Sequence, residues 1–151
     1  MPKTPPDGYQ RIIPYLAYAD PHAALTFLTE AFGFTERFRM PGPDDSIMHA
    51  EVELDGNVVM LASAFENMGF VGADQFEKRY AFTMVYVDDV DAHFATAKER
   101  GATITEEPKT QFYGDRTYRA IDPQGHHWYF ATRVKDVPLE ELSGPPPGEC
   151  E

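Results

Sequence analysis

The chain has 151 residues, 42% hydrophobic and 13% aromatic, enough apolar material for one compact core and too much for wholesale disorder. Its formal charge of −12 repels nucleic acid and leaves two readings of the acidity, capture of a cationic ligand or plain solubility. No apolar run is long enough to span a membrane, the first seven residues lack the apolar stretch of a secretory signal, and one cysteine, Cys150, excludes an internal disulfide, so a cytoplasmic protein is expected.

Residues 1–9 are proline-rich and read as a flexible, extended arm. Arg11 to Ala19 reads as a strand, with Ile13, Tyr15 and Ala17 on one face. Asp20 offers an N-cap with Pro21 at the first helical position, and Ala24, Leu25, Phe27, Leu28, Ala31 and Phe32 recur at helical spacing until Gly33. Phe34 to Met40 resumes as a strand, and Pro41 to Asp45 is a loop. Ile47 to Leu54 then alternates, which predicts Met48, Ala50, Val52 and Leu54 beneath a helix and Ile47, His49, Glu51 and Glu53 on the opposite face. Asp55-Gly56 signals a hairpin turn, with Asn57 to Ala64 as the return strand.

Residues 66–79 lack periodicity and read as a linker, after which the pattern restarts. Tyr80 to Val87 predicts a strand, and Asp88 or Asp89 caps a helix carrying Val90, Phe94, Ala95 and Ala97 that Gly101 closes. Ala102 to Glu106, Arg116 to Ile121 and His127 to Val134 supply three more strands, with Trp128 and Phe130 facing a helix. Residues 138–151, with a short turn at Leu139 to Leu142 and a run of prolines, read as a flexible tail in which Cys150 is a thiol without a catalytic role.

The two halves echo one another. Ala17-Tyr18-Ala19-Asp20 and Val85-Tyr86-Val87-Asp88 stand 68 residues apart, as do Gly33 and Gly101. A long period occurring twice indicates a duplicated module rather than a solenoid. One helix can cover only one face of each half's sheet. The expected fold is therefore α+β, a single domain over residues 10–137 built from two βαβββ modules at about 10–65 and 80–134, with a curved mixed sheet around a cup-shaped cavity.

Two such modules, with Tyr113-Gly114-Asp115-Arg116 and the turn Asp122-Pro123-Gln124-Gly125-His126 before a final aromatic strand, resemble the vicinal oxygen chelate superfamily. That is the group of glyoxalase I, the extradiol dioxygenases, the fosfomycin-resistance enzymes and the bleomycin-resistance proteins. Met48-His49-Ala50-Glu51 and Ala131 to Val137 further resemble its bacterial PhnB-like subgroup. The resemblance implies paired sheets around a cavity and a homodimer. For metal-dependent members it also implies one ligand in the first and last strand of each module, normally His, Gln or Glu. Those positions fall on Ile13, Met60, Phe82 and Tyr129, none of which suits a hard divalent cation. Neither a metal nor another cofactor is expected.

Among the remaining polar residues His49 is the catalytic candidate, because Glu51 lies two residues on along the same face and can tune its basicity. By the duplication, Arg116 and Tyr118 are taken as the counterparts of this pair, giving a quartet able to orient an anionic or zwitterionic guest. The same four side chains equally suit a structural cross-sheet network. Tyr15, Phe82, Met84, Tyr86 and Tyr129 share the cavity parity and offer an aromatic wall, although aromatic residues at strand spacing also simply fill a core. His126 and His127 point to opposite faces and cannot jointly chelate, with His127 on the parity of Tyr129, while His22 and His93 read as surface positions. No nucleophile elbow, phosphate loop or dinucleotide fingerprint occurs.

Three functions follow. The first is metal-free binding of a small aromatic, amphiphilic or cationic molecule by Tyr15, Glu51, Phe82, Met84, Arg116, Tyr118 and Tyr129. The second is a lyase, isomerase or transferase with His49 as general base. The third is a structural or regulatory dimer with a filled cavity.

Overall fold

The computed structural model describes residues 1–142, so Cys150 and the run of prolines lie outside the described residues. The elements in chain order are β1 (Tyr15–Tyr18), α1 (Pro21–Phe32), β2 (Thr35–Pro41), β3 (Ile47–Leu54), β4 (Asn57–Ser63), β5 (Thr83–Tyr86), α2 (Val90–Glu99), β6 (Thr103–Thr110), β7 (Asp115–Ile121) and β8 (His127–Arg133). They form two four-stranded mixed sheets, ordered β1-β4-β3-β2 and β5-β8-β7-β6. In each the first strand pairs parallel to the last, Tyr15 opposite Met60 and Met84 opposite Tyr129, while the other pairings are antiparallel. This is an α+β fold of two βαβββ modules.

Local chemistry sets the helix ends. The Asp20 carboxylate accepts from the Ala23 amide at 3.0 Å, with Pro21 in the first turn, and Gly33 in the left-handed region (φ 77°) stops α1. Asp89, rather than Asp88, repeats the N-cap for α2 through the Ala92 amide at 3.0 Å. The first strand is shorter than the sequence suggests. Pro14 offers its carbonyl to the Met60 amide but has no N–H of its own, and upstream of it the Gln10 side chain bonds both the amide and the carbonyl of Val58 at 3.0 and 2.6 Å.

Two irregularities change which way side chains point. At the start of β3 the pairing skips Met48, since Met40 faces His49 while Pro41 faces Ile47. This bulge turns Ile47 into the core and leaves Met48 exposed, the reverse of their predicted faces. In the second module the hairpin turn is longer. Leu54 pairs with Asn57 across two residues, whereas Ile121 pairs with His127 across five. Matching the two turns therefore slips β7 by one residue, and a one-residue slip exchanges its faces. Arg116 and Tyr118 stand on the helix-covered side, with Arg116 paired to Asp91 of α2 and Tyr118 fully buried against Phe94.

The helix-covered faces of both sheets share one apolar core. Phe32 at the end of α1 packs edge-on against Trp128 and Phe130 of the other module, with centroids 5.4 and 4.8 Å apart. Trp128 and Phe130 stack nearly parallel, and Tyr118 stacks on Phe130 at 5.1 Å. Aromatic pairs of this kind add about 1 kcal/mol each beyond area burial. The helices also meet through His93, which is no surface residue. Its imidazole lies over Phe130, accepts from or donates to the Tyr118 hydroxyl at 2.6 Å through Nδ1, and reaches the Phe32 carbonyl at 2.8 Å through Nε2. Because a carbonyl only accepts, Nε2 carries the proton and Nδ1 takes the Tyr118 hydrogen. Burial lowers the His93 pKa.

A buried carboxylate clamps the modules. Asp122, in the β7–β8 turn, accepts from Tyr18 Oη at 2.7 Å and Trp128 Nε1 at 3.1 Å on one oxygen, and from the Gln124 and His126 amides at 3.0 and 3.1 Å on the other. Beside it the Gln124 side chain bonds the Asp20 amide and carbonyl, and His126 Nε2 bonds the Ala17 carbonyl at 2.7 Å.

Asp122→Ala would leave Tyr18 and the Trp128 N–H buried without an acceptor, so urea unfolding should show a loss of about 3 kcal/mol or more. His93 gives a pH dependence whose sign follows from its lowered pKa. The unfolded chain takes up a proton first, so stability holds above about pH 6.5 and declines as the pH falls below it. Denaturation midpoints at about pH 7.5 and 5.5 should fall further apart in the natural protein than in His93→Gln.

Candidate functional site

On the helix-free face of the first module, alternation along β3 presents His49 and Glu51 side by side. His49 Nε2 bonds Glu51 Oε1 at 2.9 Å, and its Nδ1 bonds Tyr15 Oη on β1 at 2.7 Å. Glu51, almost fully buried, also accepts from Tyr9 Oη at 2.9 and 3.0 Å and has Arg37 Nε 3.8 Å away. Arg37 in turn lies over the Tyr9 ring and donates to the Gly8 carbonyl. The N-terminal segment thus reaches the site through Tyr9, which the proline-rich composition gave no reason to include. The Glu51 carboxylate raises the Tyr9 pKa through that hydrogen bond, and burial followed by the Glu51 charge raises that of Tyr15.

The equivalent face of the second module carries different chemistry. The residue opposite Tyr129 is Arg119, as Glu51 is opposite Met60. Arg119 stands 68 residues after Glu51, the spacing of Asp20 and Asp88, and that count from the helix end identifies it where the count from the turn does not. Its guanidinium sits over the rings of Tyr129 and Phe82, 4.7 and 5.7 Å from their centroids, and pairs with Glu106 at 3.1 Å. Tyr129 Oη bonds Tyr113 Oη at 2.5 Å, and burial with this contact raises the Tyr113 pKa. Nearby, buried Asp115 accepts from Tyr86 Oη at 2.7 Å and Arg133 Nη1 at 3.1 Å. Gly114 permits this corner, since its φ of 102° suits glycine and an added Cβ would collide with the Lys135 carbonyl.

A cleft of about 730 Å³ joins the modules along β1 and β5. Tyr15, Phe82 and Met84 line it together, and His127 opens into it. Burial and the nearby Arg79 charge lower the His127 pKa. The segment between the modules, expected to be a spacer, supplies Phe70, Phe76 and Tyr80 as further lining. Of the predicted site residues, Tyr15, His49 and Glu51 thus form one hydrogen-bonded group, while Phe82 packs edge-on against Tyr129 and Met84 is paired with Tyr129 across the parallel strands. Arg116 and Tyr118 lie on the far side of their sheet.

A model of the Glyoxalase/Bleomycin resistance protein/Dioxygenase superfamily matches residues 11–130. The chain belongs to this superfamily. It is 35% identical over 133 residues, 85% of this chain and 87% of the other, to the uncharacterized protein Mb0911c of Mycobacterium bovis. Among solved structures it is similar to TioX from Micromonospora sp. ML1, with 28% identity and a TM-score of 0.62 over 82% of this chain and 98% of that one. It is also similar to TnmS3, an antibiotic binding protein from Streptomyces sp. CB03234, with 25% identity and a TM-score of 0.62 over 81% and 93% of the two chains.

The superfamily's metal positions do not fit a metal here. Ile13 and Phe82 precede their strands, and the strand residues beside Met60 and Tyr129 are Tyr15 and Met84. Neither set contains an imidazole or carboxylate, and a thioether is too soft for hard divalent cations. Among the described residues no three His, Cys, Asp or Glu side chains converge. Dialysis against zinc, nickel or manganese followed by elemental analysis should leave well under one equivalent bound per chain.

Proposed function

We propose that this member of the superfamily binds a small aromatic or amphiphilic molecule without a metal, in the cleft where Tyr15, Phe82 and Met84 meet. The cleft carries the reading. Its volume lies in the range of small-molecule sites, its walls are largely aromatic and apolar, and Tyr15 brings a polar tip. The likeness to TnmS3, an antibiotic binding protein, supports a ligand of that class. The surplus of carboxylates favours a cationic guest by long-range attraction.

A homodimer belongs to the same reading. The helix-covered faces turn toward a common core, so the helix-free faces point away from it and expose Phe38, Met40, Met48 and Tyr86 at 43 to 57%. Large apolar side chains exposed together on a sheet face favour a contact surface. A second copy would cover it. The phrases around His49 and at Ala131 to Val137 support a PhnB-like assignment within this proposal, and the single cysteine supports action in a reducing cytoplasm.

The test is calorimetric titration and thermal shift with a panel of amphiphilic aromatic antibiotics. At least one should raise the melting temperature by several degrees at saturating concentration, since a ligand that binds the native state stabilises it by mass action. Tyr15→Ala and Phe82→Ala should each weaken that binding by about tenfold. A panel without effect on the natural protein would overturn the reading.

A further inference from the structure

Tyr15, His49 and Glu51 are arranged as a hydroxyl, an imidazole and a carboxylate in series. Glu51 accepts from His49 Nε2 at 2.9 Å, so that nitrogen carries the proton and Nδ1 presents its lone pair to Tyr15 Oη at 2.7 Å. The carboxylate is in turn fixed by the Tyr9 hydroxyl and by Arg37, which leaves its orientation little freedom. The order of groups is that of an activated nucleophile, a base within hydrogen-bond reach of it, and a third group that orients the base. The nucleophile end faces outward. Tyr15 is 44% exposed and lines the cleft, with Phe70 edge-on at 5.7 Å, whereas Glu51 is only 3% exposed. Such a relay exceeds what ligand capture requires.

We propose that Tyr15 is a nucleophile activated by His49 and Glu51, able to accept an acyl group from an activated aromatic ester in the cleft. Tyr15 Oη attacks the ester carbonyl carbon and its proton passes to His49 Nδ1, while Nε2 keeps its bond to Glu51. The new oxygen–carbon bond replaces the bond to the phenolate, which leaves with the electron pair, and His49 gives up its proton to the phenolate or to solvent. Neutral His49 then removes a proton from water, whose oxygen attacks the tyrosyl ester carbonyl; the bond to Tyr15 Oη breaks and His49 returns the proton to that oxygen, releasing the carboxylic acid and restoring the phenol. The balance needs only ester and water.

The inference shares its cleft with the binding function but can fail independently of it, because an antibiotic can bind where no acyl transfer occurs. The probe is 4-nitrophenyl acetate, followed by nitrophenolate release and by peptide mass mapping of the acetyl group. Tyr80, the most exposed tyrosine, is the internal comparator. Acetylation of Tyr15 should exceed that of Tyr80 by at least about tenfold, vanish in Tyr15→Phe, and fall to the Tyr80 rate in His49→Gln. Glu51→Gln should lie between. Tyr15→Phe removes one hydroxyl from a partly exposed side chain and keeps the test decisive should a His49 or Glu51 variant fold poorly. Equal labelling of Tyr15 and Tyr80, a burst carried by Cys150, or Tyr15 labelling unchanged in folded His49→Gln would overturn the proposal.

Discussion

The Asp122 carboxylate is the constraint on which the geometry of the cleft depends. A buried charge is tolerated only when its lone pairs are occupied, and here two backbone amides, an indole and a phenol occupy them. The phenol belongs to the other module. Tyr18 lies on the strand that also carries Tyr15, and Trp128 lies on the strand beside β5, so satisfying this one carboxylate fixes the spacing of the two strands that flank the cleft. Dispersion in the Phe32, Trp128 and Phe130 cluster adds energy to the joint, but directional bonds give it a register.

Much of this architecture was legible in the residues because the signals were local. Asp20, Pro21 and Gly33 bounded α1 by capping chemistry that needs no tertiary partner, and Ile47 to Leu54 gave β3 its limits by alternation. The faces of β7 were not legible in the same way. Period-two reasoning carries a sign that one residue reverses, and the sequence around Asp122 does not declare how many residues of its turn stay outside the ladder. Counting from Gly101 rather than from the turn would have placed Arg119, not Tyr118, on the open face. The Met48 bulge is a similar case, since nothing in Ser46-Ile47-Met48-His49 marks a break in alternation. His93 was missed for another reason: its burial comes from Phe32 and Tyr118, partners at separations that helical spacing cannot anticipate.

Duplication also explains the polarity of the site. Equivalent positions on two copies of one module began with equal roles, yet one now holds Glu51 beneath Tyr9 and the other holds Arg119 against Tyr129 and Phe82. The acidic position is enclosed and bonded to Tyr9 and His49. The basic position lies at the surface, where stacking on rings leaves part of the guanidinium open to solvent. Their divergence leaves the open face of one sheet acidic and that of the other basic.

The wall that Phe70, Phe76 and Tyr80 add to the cleft comes from neither repeat but from the chain that tethers them. Its short helical turns and the bridge between Phe65 and Phe70 hold it in place without membership of either sheet. A tether can gain, lose or exchange residues at little cost to the domain that contains it. Recognition can therefore drift rapidly along this stretch while both βαβββ scaffolds stand unchanged, so two proteins with nearly superimposable cores of this kind can differ widely in what they hold.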